Sequence, residues 1–153
     1  MKTNKITVEL IFESPIQFQI EGAFVPKARP RVNMKTHQVY MDSTYTTSQE
    51  LIMRQMLANW RGETIQRANI MCFLRGNLPG DVDNLVGAVL DAMKKGEIIA
   101  DDTKAVIPVL YAEWEKADYT GALIYLQPVA IPKTPTSISP SQELFTDFLE
   151  FPT

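Results

Sequence analysis

The sequence predicts a small α/β (α+β) domain, a mixed β-sheet with two main helices, followed by a short tail. Three observations carry that expectation. Several segments rich in Ile, Val and Phe alternate apolar and polar residues at the period of a half-buried strand. Two longer segments, residues 43–62 and 84–95, repeat apolar residues every three or four positions, as one face of a helix does. A chain of 153 residues, 45% hydrophobic and 22% charged, is also long enough and apolar enough to bury one core.

Taken in order, residues 5–22 read as one or two strands broken at Ser14-Pro15, because proline cannot donate to a ladder. FVPKARPRV, residues 24–32, follows. Its prolines hold it extended, so Lys27, Arg29 and Arg31, at alternate positions, fall on one side. A phosphate grip and a plain solvated loop are equally good readings of that segment alone. HQVYMD, residues 37–42, reads as a short strand ending in a turn, and the lone His37 is assigned no role.

The first helix is expected over residues 43–62, with Ser43 or Thr47 as N-cap, Thr47 and Glu50 at capping-box spacing, and Gly62 at its end. Ile52, Met56 and Trp60, with Leu57 beside them, form its core-facing stripe. Residues 63–74 read as a strand with Ile70, Cys72 and Leu74 on one face, and RGNLPG as the loop beyond it. Asp83 is the expected N-cap of the second helix, residues 84–95. KAVIPVLYAEWEK and ADYTGALIYLQP then read as a hairpin turning around residues 116–119, with Trp114 and Tyr125 as packed or cross-strand aromatics. The domain is expected to span residues 1–127. Residues 128–153, rich in Pro, Ser and Thr, read as a linker ending in ELFTDFLEFPT, a segment suited to docking a protein partner or folding back.

Some classes are excluded. No apolar run approaches the roughly 20 residues of a membrane helix, and the start lacks a signal core with a cleavage site. The single cysteine, Cys72, cannot form an internal disulfide, so a reducing cytoplasm is expected and Cys72 reads as a buried small hydrophobe. The net charge of −3 argues weakly against nucleic acid, but its distribution reverses the argument. Residues 27–76 carry eight Lys/Arg against three acids, and residues 77–153 carry five against twelve. Phosphate responds to the local field rather than to the sum.

The acids concentrate in GDVDNLVGAVLDAMKKGEIIADDTK, residues 80–104. Asp81 and Asp83 open it, Asp91 lies along the helix, and Asp101-Asp102 close it. Carboxylates set near one another call for a cation, and hard oxygen ligands without a His/Cys cluster suit Mg²⁺ or Mn²⁺. A cap and a turn explain one acid at each end, but not Asp81 together with Asp83 and the later pair.

The DxDN start at Asp81–Asn84, the Asp91-Ala92 pair and the Asp101-Asp102 pair resemble the RusA-type Holliday junction resolvases, with Asp83 and Asp102 nineteen residues apart as in that family's motif. The upstream IEGAFVPKARPRV and VYMD are similar to the N-terminal part of phage and bacterial members. The resemblance, over residues 6–127, implies a cytoplasmic, bacterial or phage-encoded α/β nuclease working as a symmetric homodimer. It implies paired nicks in four-way DNA junctions with Mg²⁺ or Mn²⁺, in recombination and repair. It places the catalytic, metal-holding carboxylates at Asp81, Asp83 and Asp102, and gives Lys27, Arg29, Arg31 and Lys104 to the DNA. One position departs from the pattern. Many members carry a lysine four residues after the second aspartate, where this chain has Gly87. Either Lys27 or Lys104 supplies that cation from another element, or the chain is a catalytically weak branched-DNA-binding protein of the same fold.

Overall fold

The structure, a computed structural model, describes residues 14–60 and 62–131. The strand expectation over residues 5–13 and the tail beyond residue 131 lie outside the described residues.

A four-stranded sheet and two helices hold the core. In chain order they are β1 (Ile16–Glu21), β2 (Arg31–Val32), β3 (Val39–Tyr40), α1 (Ser43–Leu57), β4 (Ala68–Arg75), α2 (Val82–Lys95), β5 (Leu110–Glu115) and β6 (Gly121–Pro128). The main sheet runs β1-β6-β4-β5, while β2 and β3 form a separate two-stranded hairpin. β4 shows why the sheet has two unlike faces. Ala68, Ile70, Cys72 and Leu74 are buried and alternate with half-buried Asn69, Met71, Phe73 and Arg75. The buried set meets Leu85, Val89, Ala92 and Met93 of α2 and Ile52 and Met56 of α1 in one apolar cluster. Burial pushes the Cys72 thiol up to about 12, as suits an inert core residue.

Several local expectations change. The segments read as a β5–β6 hairpin do not pair. β5 lies parallel to β4, with Ile70 opposite Leu110, and β6 lies antiparallel between β4 and β1. A parallel neighbour needs a crossover, and α2 with the residues 96–109 supplies it. The strand read over residues 63–74 begins at Ala68, with Ile65 making only an isolated bridge to Ile99. Similarly, the strand read from residue 104 begins at Leu110. α1 ends at Leu57 rather than near Gly62, and its cap is Asp42, whose carboxylate accepts from the Thr44 N–H at 2.8 Å, so Ser43 and Thr47 are not needed as caps. Trp60, beyond the helix, stacks at a tilt on Phe18 with ring centres 6.1 Å apart. On the sheet face opposite the helices Tyr125 meets Phe73 edge-on at 5.7 Å, while Trp114, level with Leu74 on the helix-bearing face, donates from Nε1 to the Gly76 carbonyl at 2.8 Å. Beside them Arg75 donates to Glu113 at 2.6 Å and lies 5.6 Å above the Phe73 ring centre.

Among the described residues, no helix is long and apolar enough to cross a membrane.

Candidate active site

α2 begins at Val82, two residues earlier than its sequence pattern implied. Its N-cap is Asp81, in extended backbone conformation, and Asp83 sits in the first turn. The Asp81 carbonyl accepts the first helical bond from the Leu85 N–H at 3.0 Å, but its carboxylate makes no capping bond and is left for another partner. Asp81 and Asp83 are both exposed. They stand where the unpaired N–H groups of the first turn and the helix dipole favour negative charge.

The chain between β1 and β2 is tied against this end of α2. The Lys27 N–H donates to the Asn84 carbonyl at 2.8 Å. Pro26 packs against Gly80, which has φ +85; a Cβ there would lie 2.9 Å from the proline ring. Contacts therefore fasten the connector on both sides of the Asp81–Asp83 pair. The Lys27 side chain then runs along α2 across Gly87, where a Cβ would come within 3.1 Å of the lysine Cδ. Its ammonium ends 3.1 Å from Asp91 Oδ1, and the other oxygen of Asp91 accepts from the Tyr45 hydroxyl at 2.6 Å. Burial, and then the hydrogen bond to Asp91, raise the Tyr45 hydroxyl well above its ordinary 10.0, so it remains a donor throughout the working pH range.

The remaining sites fall differently from the extended one-sided array expected for 27–31. Lys27 turns to α2, while Arg31 pairs with the α1 cap Asp42 at 3.3 Å. The contacts of Thr44, and to a lesser extent Arg31, hold the Asp42 carboxyl below its ordinary range. Arg29 and Lys104 are exposed and form no ion pair among the described residues.

Asp102 does not stand beside Asp81 and Asp83. Lys94, in the last turn of α2, reaches Asp101 at 3.1 Å and Asp102 at 3.9 Å. The pair of aspartates thus lies at the C-terminal end of a helix about 21 Å long, whose other end carries Asp81 and Asp83. Asp101 accepts from the Asp102 N–H at 2.8 Å, and this bond, followed by Lys94, lowers its carboxyl from the ordinary value. Among the described residues no three His, Cys, Asp or Glu side chains converge closely enough to hold a metal ion. The donor chemistry suits a hard divalent cation, with exposed carboxylates and one of them without a capping bond, but one chain presents two of the three at one place.

Reading of the sequence missed Tyr45 and the part played by Asp91. The available signal was Gly87, a glycine inside an otherwise well-patterned helix, which marks a close approach by another segment.

A family model described as endodeoxyribonuclease RusA matches residues 21–124, covering the basic connector, both helices and all three aspartates. A search of curated proteins finds no match to the chain. The family match and the mixed four-stranded sheet with two helices agree with each other, and the chain belongs to the RusA endodeoxyribonuclease family.

Proposed function

We propose that the protein is a Mg²⁺-dependent, structure-selective DNA endonuclease that resolves four-way junctions by paired nicks, working as a homodimer. The observation that carries this is the exposed Asp81–Asp83 pair at the start of α2, inside the region matched by the RusA family. Bound Mg²⁺ or Mn²⁺ would polarise the scissile phosphate and lower the pKa of the attacking water. The chain's own contributions are distinct. Asp81 and Asp83 hold the cation, the first turn of α2 favours the phosphate's charge, and the exposed Arg29 and Lys104 grip the DNA backbone without reading sequence.

The separation of Asp102 from the other two carboxylates supports a site shared between copies. In a two-fold dimer the same patch of each chain meets its counterpart, so opposite ends of one element can face each other across the axis. Asp102 of a second copy then completes the set begun by Asp81 and Asp83, and the dimer holds two such sites for two opposed strands. The path of Lys27 across Gly87 favours an active nuclease over the catalytically weak alternative, because an ammonium group is delivered to the face of α2 that Gly87 leaves bare.

The test is a synthetic four-way junction incubated with Mg²⁺ or Mn²⁺, comparing the parent with Asp83→Asn. The parent should nick opposed strands, and the variant should bind the junction without cutting. A parent that binds and leaves the junction intact at every metal concentration rules out the nuclease. Mixing Asp83→Asn chains with Asp102→Asn chains tests the shared site. A mixed dimer then holds one intact site and recovers single nicks, whereas sites contained within each chain would recover nothing.

A further inference from the structure

The β2–β3 hairpin takes no part in the proposed chemistry. Every residue from 31 to 40 is exposed, including Val32 at 52%, Met34 at 82%, Val39 at 67% and Tyr40 at 49%. Exposed side chains of this size on an element with no core to serve call for a partner. The hairpin's faces differ. Val32 opposes Val39 on one face, while Arg31 opposes Tyr40 on the other.

Its tip is ordered from within. Asn33 Oδ1 accepts from the N–H groups of Lys35 and Thr36 at 2.9 and 3.3 Å, the Asn33 N–H donates to the Gln38 carbonyl at 2.8 Å, and His37 takes φ +57 to close the turn. Met34 is thereby presented at the apex of a pre-organised loop, which lowers the entropy lost on insertion. The surrounding charge is of one sign. Between Gly22 and Met41 stand Lys27, Arg29, Arg31 and Lys35 and no acid. The root of the hairpin lies four residues along the chain from the Lys27 contact with Asn84 at the start of α2.

Apolar side chains flanked by cations fit a polyanion whose base faces are uncovered. We propose that this hairpin is a branch-point wedge: Val32, Val39 and Met34 take the faces of bases unstacked at a DNA branch, while Arg29, Arg31 and Lys35 hold the flanking phosphates. The proposal rests on the reading of the protein as a branched-DNA nuclease and names how that substrate is engaged. Intact duplex offers phosphates but no open base faces, so the wedge contributes selectivity for branches.

The test uses the full chain carrying Asp83→Asn, which prevents cutting, and a four-way junction with 2-aminopurine at the branch point. Binding should raise the fluorescence as the base unstacks. Adding Met34→Ser and Val39→Thr should abolish the rise at saturating protein, with junction affinity falling by about tenfold and duplex affinity unchanged. Replacing Arg29 and Lys35 by Gln should weaken binding to both DNAs and leave the saturated signal intact. An undiminished rise in the apolar variant overturns the wedge, as does a bound parent that produces no rise. Loss of the dimer in the apolar variant, read by size-exclusion chromatography, also overturns it by assigning those residues to contact between copies. Failure of the parent to bind any branched DNA counts instead against the proposed function itself.

Discussion

Lys27 and Gly87, sixty positions apart in sequence, are in contact: the lysine's aliphatic chain lies over the glycine and its ammonium reaches Asp91 one turn further along α2. A glycine inside a helix costs about 1 kcal/mol relative to alanine. That cost has a structural counterpart here, because a Cβ at residue 87 would stand 3.1 Å from the lysine Cδ.

Gly87→Ala should therefore stabilise the protein by less than the roughly 1 kcal/mol that helix propensity alone provides. The obstacle is a half-exposed, flexible side chain that can move a few tenths of an ångström, so the sign stays favourable. In a Lys27→Ala background the same substitution should recover the whole gain. Urea unfolding of the four proteins measures the coupling directly. Equal gains in both backgrounds would show that Lys27 does not constrain residue 87.

Tyr45→Phe removes the donor to Asp91 Oδ2 and leaves a carboxylate whose side chain is only 19% exposed with one partner fewer. Hydrogen bonds to charged groups contribute about 1.5–3 kcal/mol, and partial exposure puts this one toward the lower end. The expected loss is about 1.5 kcal/mol in urea unfolding, with junction cutting slowed because Asp91, held on one side only, positions Lys27 less firmly. An unchanged cutting rate at saturating DNA would leave Tyr45 a purely structural residue.

The contact between Lys27 and Asp91 explains why part of the site was legible in the sequence and part was not. Asp81, Asp83 and the buried faces of β4 and α2 depend on spacing within one segment, so periodicity and motif register reveal them. Contacts across the fold leave no such record. The β5 and β6 segments look like a hairpin because they are adjacent and alternate. Their partners are chosen instead by α2, which carries the chain back to lie parallel to β4. Caps shifted by one residue from Ser43 to Asp42 and by two from Asp83 to Asp81, because nearby polar residues are chemically equivalent and backbone conformation selects between them. The distance of Asp102 from its expected companions had no signature at all, since nineteen residues of separation fit either a site within one chain or one shared by two.

Acid stability should depend on Glu113. Hydrogen bonds from Arg75, then from Tyr111, hold its carboxyl below the ordinary 4.5 in the folded protein. A carboxyl with a depressed folded-state pKa adds stability that is fully present above 4.5 and is lost as the pH falls through the lower folded-state value. Asp42 and Asp101 are lowered too and act in the same direction. Glu113→Gln should thus lower Tm at pH 7 and reduce the further fall in Tm as the pH drops below 4.5. A variant whose Tm falls as steeply as the parent's over that range would show that the Arg75–Glu113 pair adds nothing to the pH dependence.

The four cations assigned to DNA from the sequence should not behave alike. Arg29 and Lys104 are exposed and make no ion pair among the described residues, so each can release a counterion on meeting a phosphate. Replacing either by Gln should reduce the slope of log K against log salt by about 1 for duplex and junction alike. Lys27 and Arg31 already face Asp91 and Asp42, and must give up or share those carboxylates to bind DNA. Their removal should change the slope by well under 1, and Lys27→Gln should act mainly on the cutting rate, through the face of α2 it covers. Fluorescence-anisotropy titrations of the Asp83→Asn protein at several salt concentrations measure the slopes without interference from cutting. A full unit lost at Lys27 would mean that its ammonium leaves Asp91 for the DNA backbone, and that the carboxylate holds it only in the unbound protein.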